Sequence, residues 1–245
     1  MSGIKVVKCG SETVADAPGV NQEKLNGHAR RLVRHASGLI IVSSGSVMAG
    51  RAEAPEIEDE QILAGLGSAN IVMGWKKALG EFGIRASQVP VTDHEIEDPE
   101  EGSTLKQALK NDIAAGIVPI VNTNDKLSHV ELEKRRWGGE NDGLAAHIGI
   151  LMRAQAVFFM TNDVEGLMYE GRIIGEIPYS EVAQARALAV VNDSGSRGKG
   201  GMRSKLRAAF EVADEGIDAY IAQADCPIEA VEAGRTGTYV VAKAG

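Results

Sequence analysis

The chain is poor in cysteine and in positive charge, and each shortage excludes a class of protein. Two cysteines, Cys9 and Cys226, are too few for a disulfide framework in 245 residues. Cys9 lies inside an apolar run, which predicts a buried free thiol. The formal charge of −8 argues against nucleic acid or an anionic membrane surface as the main partner, because both attract a positive protein surface.

The chain also lacks any long apolar segment. No stretch reaches the length that spans a bilayer, and the first residues lack the basic and apolar regions of a signal peptide. We therefore expect a cytoplasmic protein with no membrane partner. Hydrophobic residues make up 44% of the sequence, and a chain of this length buries roughly 70 to 75% of its unfolded surface, so a self-sufficient core is expected.

Short β-rich runs alternate with stretches of helical period along most of the chain. This alternation is typical of strands linked by crossover helices, so the sequence predicts an α/β fold with a mostly parallel sheet. The predicted strands run from Ile4 to Lys8, Gly38 to Ser43, Ser87 to Thr92, Ile117 to Asn122, Ala156 to Thr161 and Ile217 to Ala222. The predicted helices run from Gln22 to His35, Glu60 to Phe82, Thr104 to Ala115, Gly143 to Arg153 and Met202 to Glu215.

Three segments interrupt the alternation. Hairpins are predicted around Lys126 to Trp137 and around Leu167 to Ile177, the second turning at Glu170 and Gly171. The acidic run from Asp93 to Glu101 contains a proline and is expected to be a solvated loop.

Polar residues follow most of the predicted strands. Ligands of parallel sheets collect at the carboxyl ends of the strands, where loops and helix N-termini converge. The polar residues at these ends are Lys8, Gly10 and Ser11, then Ser43 to Ser46, Asn122 to Asp125, and Thr161 to Asp163, while Asn141 and Asp142 open a predicted helix. Ordinary turn or capping roles would also explain several of them, Asp142 as a helix cap and Lys8 as a strand-end lysine reaching solvent.

A glycine-rich loop with embedded cations, residues 194–205, precedes the last long predicted helix. Glycines let the backbone approach a ligand, and the helix N-terminus adds partial positive charge, so the segment fits a phosphate-binding loop. A flexible surface loop before a helix would look similar. The residues that would contact phosphate are Gly198, Lys199, Gly200, Gly201, Met202 and Lys205.

Taken in order, these segments resemble the amino acid kinase family, and within it the glutamate 5-kinase subgroup. The segment from Val6 to Ser11 resembles VVKLGTS, and that from Val42 to Arg51 resembles VTSGAIAAGR. Residues 117–125 are similar to IVPVINEND, residues 139–142 to GDND, residues 198–205 to GTGGMxTK, and residues 237–239 to the GTxF that closes the kinase domain. The second motif distinguishes the subgroup, because acetylglutamate kinases carry an HGGG-type run there and uridylate kinases a GGGN-type run.

The resemblance implies a three-layer αβα sandwich formed by one amino acid kinase domain over residues 1–245. It implies that residues up to about 155 bind the acceptor and residues 156–245 the nucleotide, in a short form without the C-terminal PUA module. It also implies a homo-oligomer, a dimer or tetramer, and possible feedback inhibition by proline. Gly67-Ser68, Thr123, Glu140 and Asn162 depart from the family pattern.

The implied activity is ATP-dependent phosphorylation of the side-chain carboxylate of L-glutamate. A carboxylate is ionised at neutral pH, so the reaction needs positioned cations rather than a general base. Lys8 and Lys205 are the expected cations, and Asp142 the carboxylate that organises them.

The resemblance also implies the residues that bind the substrates. Those expected to bind the acceptor are Ser44, Gly45, Asn122, Asp125 and Asn141, and those expected to bind the nucleotide are Gly10, Ser11, Thr161, Asn162, Asp163 and residues 198–202. No protein metal site is expected, because Mg²⁺ would bind mainly through ATP and water. Two alternatives stay open: a family member with another carboxylate, carbamate or phosphate acceptor, and a non-catalytic sensor.

Overall fold

The structure, a computed structural model, describes residues 3–16, 19–92, 94–125, 141–193 and 201–244. Its strands are β1 Lys5–Cys9, β2 Ala15–Asp16, β3 Gly19–Val20, β4 Leu39–Ser43, β5 Arg85–Val91, β6 Ile117–Thr123, β7 Ala156–Thr161, β8 Met168–Tyr169, β9 Arg172–Ile173, β10 Glu176–Ile177, β11 Asp218–Gln223 and β12 Thr238–Val240.

Helices connect most of these strands, as expected for an α/β fold. They are α1 Ser11–Val14, α2 Gln22–Leu32, α3 Ser46–Glu53, α4 Glu60–Gly80, α5 His94–Glu97, α6 Pro99–Ala114, α7 Asn141–Met152, α8 Glu181–Asp193, α9 Met202–Asp214 and α10 Ile228–Glu232. A 3-10 helix, Val33–Gly38, leads into β4. Among the described residues, none of the helices combines the length and the apolarity that a bilayer crossing requires.

The chain divides into two compact units. The first contains the described residues from Cys9 to Asp125, and the second contains Gly3–Lys8 together with the described residues from Asn141 onward. Strand β1 therefore contributes Lys8 to the second unit and Cys9 to the first. The predicted assignment of the acceptor and the nucleotide to the two halves of the chain stays a prediction.

The first unit contains three parallel strands in the order β4, β6, β5. All five residues of β4 are buried, in agreement with the apolar run of residues 39–42. Helices α3 and α4 pack closely. The glycine at position 67 allows this contact, since a Cβ atom added there would lie 2.0 Å from the carbonyl oxygen of Ser46. A side chain at Gly67 would therefore push α4 away from the start of α3.

The second unit contains the strand order β10, β12, β11, β7, β1. Strands β1 and β11 pair in parallel with β7, while β12 pairs antiparallel with β11. Every residue of β1 and β7 is buried, and α7 packs against α9 and β7. The pairing of β1 with β7 places Lys8 beside Phe159, at the carboxyl end of both strands.

The six predicted strands are confirmed, each to within two residues at both ends, and the hairpin at Glu170-Gly171 is also confirmed. Both turn residues have positive φ, as a tight hairpin turn requires. The hairpin predicted around Lys126 to Trp137 lies outside the described residues. Cys9 is buried and forms no disulfide, as predicted.

The loop predicted for the acidic run is wrong. His94–Glu97 forms α5, and α6 begins at Pro99 rather than at Thr104. The Asp98 side chain accepts hydrogen bonds from the backbone N–H groups of Glu100 and Glu101, and Pro99 occupies the first turn. The charges of this run do not indicate a loop, because an aspartate followed by proline and two acids is a helix start.

Candidate active site

The second unit brings Lys8, Asp142 and Lys205 together, although they are far apart in the sequence. The Nζ atom of Lys8 lies 2.8 Å from Oδ1 of Asp142, and the Nζ atom of Lys205 lies 3.3 Å from Oδ2 of the same carboxylate. All three residues are buried, and Asp142 is 0% exposed. Two ammonium groups therefore bracket one carboxylate, and the cluster carries a formal charge of +1.

Local structure explains how each member reaches the cluster. Lys8 is the penultimate residue of β1, Asp142 lies in the first turn of α7, and Lys205 lies in the first turn of α9. The packing of α7 against α9 and β7 aligns these element ends. The position at the start of α7 also favours a carboxylate, because the N-terminal end of a helix carries partial positive charge.

The charge state of Asp142 depends on a balance of opposing effects. Burial is the largest single influence and favours the neutral acid, but the attraction of Lys8 and Lys205 together outweighs it and holds the pKa of Asp142 below its usual value. The carboxylate is thus ionised at neutral pH. A helix cap alone would not bury Asp142 between two lysines, so this alternative explains the residue incompletely.

The end of β7 holds three predicted nucleotide-binding residues. The Thr161 hydroxyl has one proton to donate, and the carbonyl oxygens of Val164 and Ala222 both lie within hydrogen-bond distance of it, so the fold already uses this group. The Asn162 side chain donates to Asp163, and the Asn162 carbonyl accepts a hydrogen bond from Gln223. Asp163 is exposed. Hydrogen bonds from Thr161 to Ala222 and from Gln223 to Asn162 connect the end of β7 to the end of β11 in the second unit.

The glycine-rich loop is described only from Gly201 onward. Gly201 is the N-cap of α9, and its carbonyl accepts hydrogen bonds from the backbone N–H groups of Ser204 and Lys205. Gly201 has no side chain with which to cap the helix, and Met202 is the first helical residue. The predicted contacts at Gly198, Lys199 and Gly200 lie outside the described residues.

In the first unit, Ser44, Gly45 and Asn122 are close neighbours. Ser44 is buried and its N–H donates to the carbonyl of Cys9. Gly45 is the N-cap of α3 with φ +104°, and a Cβ atom there would lie 2.9 Å from Val14. The Asn122 amide donates to the Ser46 hydroxyl at 2.7 Å. We call residues 43–46 the second-strand loop.

The remaining predicted residues are partly exposed. Gly10 is the N-cap of α1 and accepts two hydrogen bonds from Thr13 at its carbonyl, while Ser11 is the first helical residue. Asp125 follows β6 in the first unit, and Asn141 begins α7 in the second. In the part of the chain that the structure describes, no group of three acidic, histidine or cysteine side chains is arranged to hold a metal ion.

Two polar aromatic residues behind the loops were missed by sequence reasoning. The Trp75 indole N–H donates to the Ser43 hydroxyl at 2.9 Å, and Nε2 of His28 lies 2.8 Å from the carbonyl oxygen of Thr13. Both side chains are buried. A tryptophan on the core-facing side of α4 is the signal that could have found this contact, because a buried indole N–H needs an acceptor.

Comparisons with known proteins define the class of protein to which these features belong. Residues 3–223 match the amino acid kinase family, so the chain belongs to this family of phosphotransferases. The chain is 30% identical over 237 residues to a glutamate 5-kinase of Haemophilus influenzae strain PittGG, 32% over 238 residues to one of Myxococcus xanthus strain DK1622, and 34% over 232 residues to one of Xanthomonas campestris pv. campestris strain 8004.

The matches cover most of this chain but a smaller share of each relative. The matches include 91, 91 and 88% of this chain but 63, 61 and 62% of the respective relatives. The chain thus spans less than two thirds of their length. The family assignment predicted from the sequence motifs is confirmed.

Solved structures establish the fold. A carbamate kinase from Giardia lamblia bound to AMP-PNP has a TM-score of 0.69 at 13% identity, with 98% of this chain and 99% of that chain covered. A UMP kinase from Ureaplasma parvum has a TM-score of 0.60 at 12% identity, with 98 and 100% covered. The predicted amino acid kinase fold, with a mostly parallel central sheet flanked by helices, is confirmed.

Proposed function

We propose that this protein transfers the γ-phosphoryl group of ATP to the side-chain carboxylate of L-glutamate. The product would be glutamate 5-phosphate, in the first step of proline biosynthesis. Family membership supports phosphotransfer, and relatives named glutamate 5-kinase at 30 to 34% identity support this acceptor. The serine-glycine-serine sequence of the second-strand loop also favours this subgroup.

The observation that carries the proposal is the buried cluster of Lys8, Asp142 and Lys205. In the reaction, a glutamate oxygen forms a bond to the γ-phosphorus while the bond from that phosphorus to the β–γ bridging oxygen breaks, leaving ADP. The attacking group and the nucleotide are both anions, so the chief requirement is positive charge in a fixed position. A buried cluster with one excess positive charge meets this requirement at little reorganisation cost.

Each member of the cluster has a separate role in the proposal. One lysine stabilises the oxygens of the γ-phosphoryl group, which the glutamate carboxylate attacks. The other neutralises charge on the leaving β-phosphate. Asp142 lies between the two ammonium groups and offsets their mutual repulsion, because its carboxylate pairs with both. No general base is needed, since a glutamate side chain with a pKa of about 4.3 is already ionised.

Substrate recognition is assigned to the surrounding polar groups. Asp125 and Asn122 would accept hydrogen bonds from the α-ammonium group of glutamate, and Ser44 and Asn141 would donate to its α-carboxylate. The nucleotide would contact backbone N–H groups of Gly10, Ser11 and Gly45, the turn Thr161–Asp163, and residues 198–202. Because the Thr161 hydroxyl is already hydrogen bonded, Thr161 would contribute its backbone.

Mg²⁺ would reach the protein as a complex with ATP. This small, hard cation keeps several waters and is held largely by phosphate oxygens in kinases. Both oxygens of Asp142 are ion-paired with lysines, so Asp142 is not assigned as a direct metal ligand.

Location, assembly and regulation follow as parts of the same proposal. An enzyme that uses ATP and a free amino acid would work in the cytoplasm, as the sequence led us to expect. We also propose a homo-oligomer. Feedback inhibition by proline belongs to the proposal as well, although Gly67-Ser68 and Thr123 depart from the family pattern in the first unit.

Trapping of the product with hydroxylamine tests the proposed acceptor. The purified protein is incubated with MgATP, L-glutamate and hydroxylamine, and we expect γ-glutamyl hydroxamate in amounts equal to the ADP released. Aspartate, acetylglutamate, carbamate and UMP serve as matched acceptors in the same assay with ADP detection.

The outcome separates the proposed function from its alternatives. ADP release with another acceptor, but no hydroxamate with glutamate, would assign a different kinase of the same family. Nucleotide binding without ADP formation in the presence of any of these acceptors would indicate the non-catalytic sensor.

A further inference from the structure

We propose that His28 and Trp75 are positioning residues that hold two substrate-binding loops from behind. Trp75 would fix the second-strand loop, residues 43–46, and His28 would fix the first-strand loop, residues 10–14. The inference rests on the proposed function for the assignment of these loops to acceptor and nucleotide. The contacts themselves all lie within the first unit.

A continuous series of hydrogen bonds links Trp75 to the second-strand loop. The indole N–H donates to the Ser43 hydroxyl at 2.9 Å, and that hydroxyl donates to the Ser44 carbonyl at 3.2 Å. Trp75 and Ser43 are both fully buried. Water does not compete for the hydroxyl in such an environment, so the indole orients it and thereby fixes the carbonyl of Ser44.

The position of the Ser44 carbonyl matters because Gly45, the next residue, has a left-handed backbone conformation and leads into α3. Ile71, one turn before Trp75 on α4, would lie 3.1 Å from a Cβ atom at Gly45. Helix α4 therefore supports the loop through both an apolar contact and a polar one. A change in the Ser44 peptide would redirect the N–H groups proposed to face the substrate.

His28 makes the corresponding contact to the first-strand loop. Because a carbonyl oxygen can only accept, Nε2 must donate to the Thr13 carbonyl across the 2.8 Å separation. Thr13 in turn donates to the Gly10 carbonyl from both its N–H, at 3.0 Å, and its hydroxyl, at 2.8 Å. His28 thus holds the short helix α1, which begins at Ser11 directly after Gly10.

The two positioning residues are themselves neighbours. The ring centroids of His28 and Trp75 lie 6.1 Å apart, with the ring planes inclined by 34°. Helices α2 and α4, which carry them, pack against each other. One buried pair of rings therefore supports two loops through two separate hydrogen bonds, and this separation makes the inference testable.

The experiment compares Trp75→Phe with His28→Phe in the full chain. Each change keeps an aromatic ring and removes one N–H donor. We expect Trp75→Phe to raise KM for the acceptor roughly three- to tenfold, the effect of one hydrogen bond, and to raise KM for ATP less, although Gly45 also contributes an N–H to the nucleotide. For His28→Phe we expect the opposite selectivity. The variant His28→Gln retains a donor near the position of Nε2, and should restore ATP affinity.

Amide hydrogen exchange provides a readout that does not depend on the acceptor. Trp75→Phe should accelerate exchange at the Ser44 N–H but not at the Thr13 N–H, and His28→Phe should do the reverse. The double variant Trp75→Phe/Ser43→Ala should affect acceptor KM no more than Ser43→Ala alone, because Ser43→Ala already removes both hydrogen bonds of the series.

The results distinguish the positioning roles of His28 and Trp75 from the proposed acceptor. Crossed exchange patterns with no hydroxamate from the wild-type protein would support the positioning roles and reject the proposed acceptor, and KM would then be measured with whichever acceptor the panel identifies. Equal acceleration at both loops in both variants, or equal changes in both KM values, would show a general loss of packing and overturn the inference. Unchanged exchange at both amides would overturn it as well.

Discussion

Asp142 is a fully buried carboxylate with a lysine on each oxygen. The resemblance to the family implied that Lys8, Asp142 and Lys205 act together, and each lies at the end of a predicted strand or the start of a predicted helix. The sequence could not predict how the charges balance, which depends on burial and distance. Nor could it show that the Thr161 hydroxyl is hydrogen bonded inside the fold, since that contact depends on the neighbouring strand β11.

Gly67 provides a prediction at the same scale. A Cβ atom at this position would lie 2.0 Å from the Ser46 carbonyl oxygen and 2.4 Å from the Gly50 nitrogen, and backbone atoms cannot move aside easily. Gly67→Ala should lower the free energy of unfolding by about 1 to 3 kcal/mol, as overpacking commonly does. Urea denaturation measures this change.

Gly80 on the same helix is the matched control. A Cβ atom there would meet nothing within 4 Å, so Gly80→Ala should be neutral or stabilise by up to ~1 kcal/mol. Equal effects of the two substitutions would show that close packing of α3 on α4 does not contribute to stability.

At the scale of elements, the sequence indicates helical pattern better than it indicates helix starts. Helix α4 is predicted from Glu60 to Phe82 and is observed over Glu60–Gly80, because its core-facing residues follow the helical period. The prediction for α6 begins five residues too late, because its acidic first turn has the composition of a solvated loop. The second-strand loop is predicted as a binding segment, but the helix α3 that follows it is not predicted.

Helix α4 is apolar on its outer face as well as on its inner face. Ile62, Ala69 and Met73 are exposed and Leu66 is partly exposed, and these four residues lie on one side of the helix, opposite the buried residues. Helices that are apolar all round are normally covered. We propose that a second copy of the chain covers this face and forms the homo-oligomer.

Charge complementarity points to a second copy as the partner. Glu58 and Asp59 precede α4, and Lys76 and Lys77 are exposed near its end. In an antiparallel pair about a two-fold axis between residues 67 and 68, these acids would face the lysines of the second copy. The same register would place Ile62 opposite Met73 and Leu66 opposite Ala69, as an isologous interface requires.

Light scattering during size-exclusion chromatography tests this assembly. The wild-type protein should have the mass of a dimer or a larger even-numbered oligomer, and Met73→Asp should reduce it to lower-mass species. Val182→Asp is the matched control, because Val182 is 63% exposed and Met73 is 62% exposed. A monomeric wild-type protein, or a Met73→Asp variant of unchanged mass, would reject the interface.

For the whole molecule, sequence and structure agree on the α/β class and on the amino acid kinase fold. Motif order carries this agreement, since motifs at the beginning, middle and end of the chain occur in the spacing of one family. The division into compact units could not be predicted from the sequence, because Lys8 belongs with residues beyond Asn141 while its neighbour Cys9 does not. Such a division is set by contacts distant in sequence, which local patterns do not record.

Catalysis of phosphoryl transfer by two buried ammonium groups on one carboxylate is the core of the proposed function. The most direct measurement is turnover of Lys8→Ala and Lys205→Ala beside Lys5→Ala, which removes another buried lysine of β1, one paired with Glu232 instead. Each variant is assayed below its own thermal midpoint, with the acceptor that the wild-type protein uses. We predict that Lys8→Ala and Lys205→Ala lower kcat by roughly 100-fold or more, while Lys5→Ala leaves kcat near the wild-type value. Wild-type turnover in both Lys8→Ala and Lys205→Ala would contradict the account.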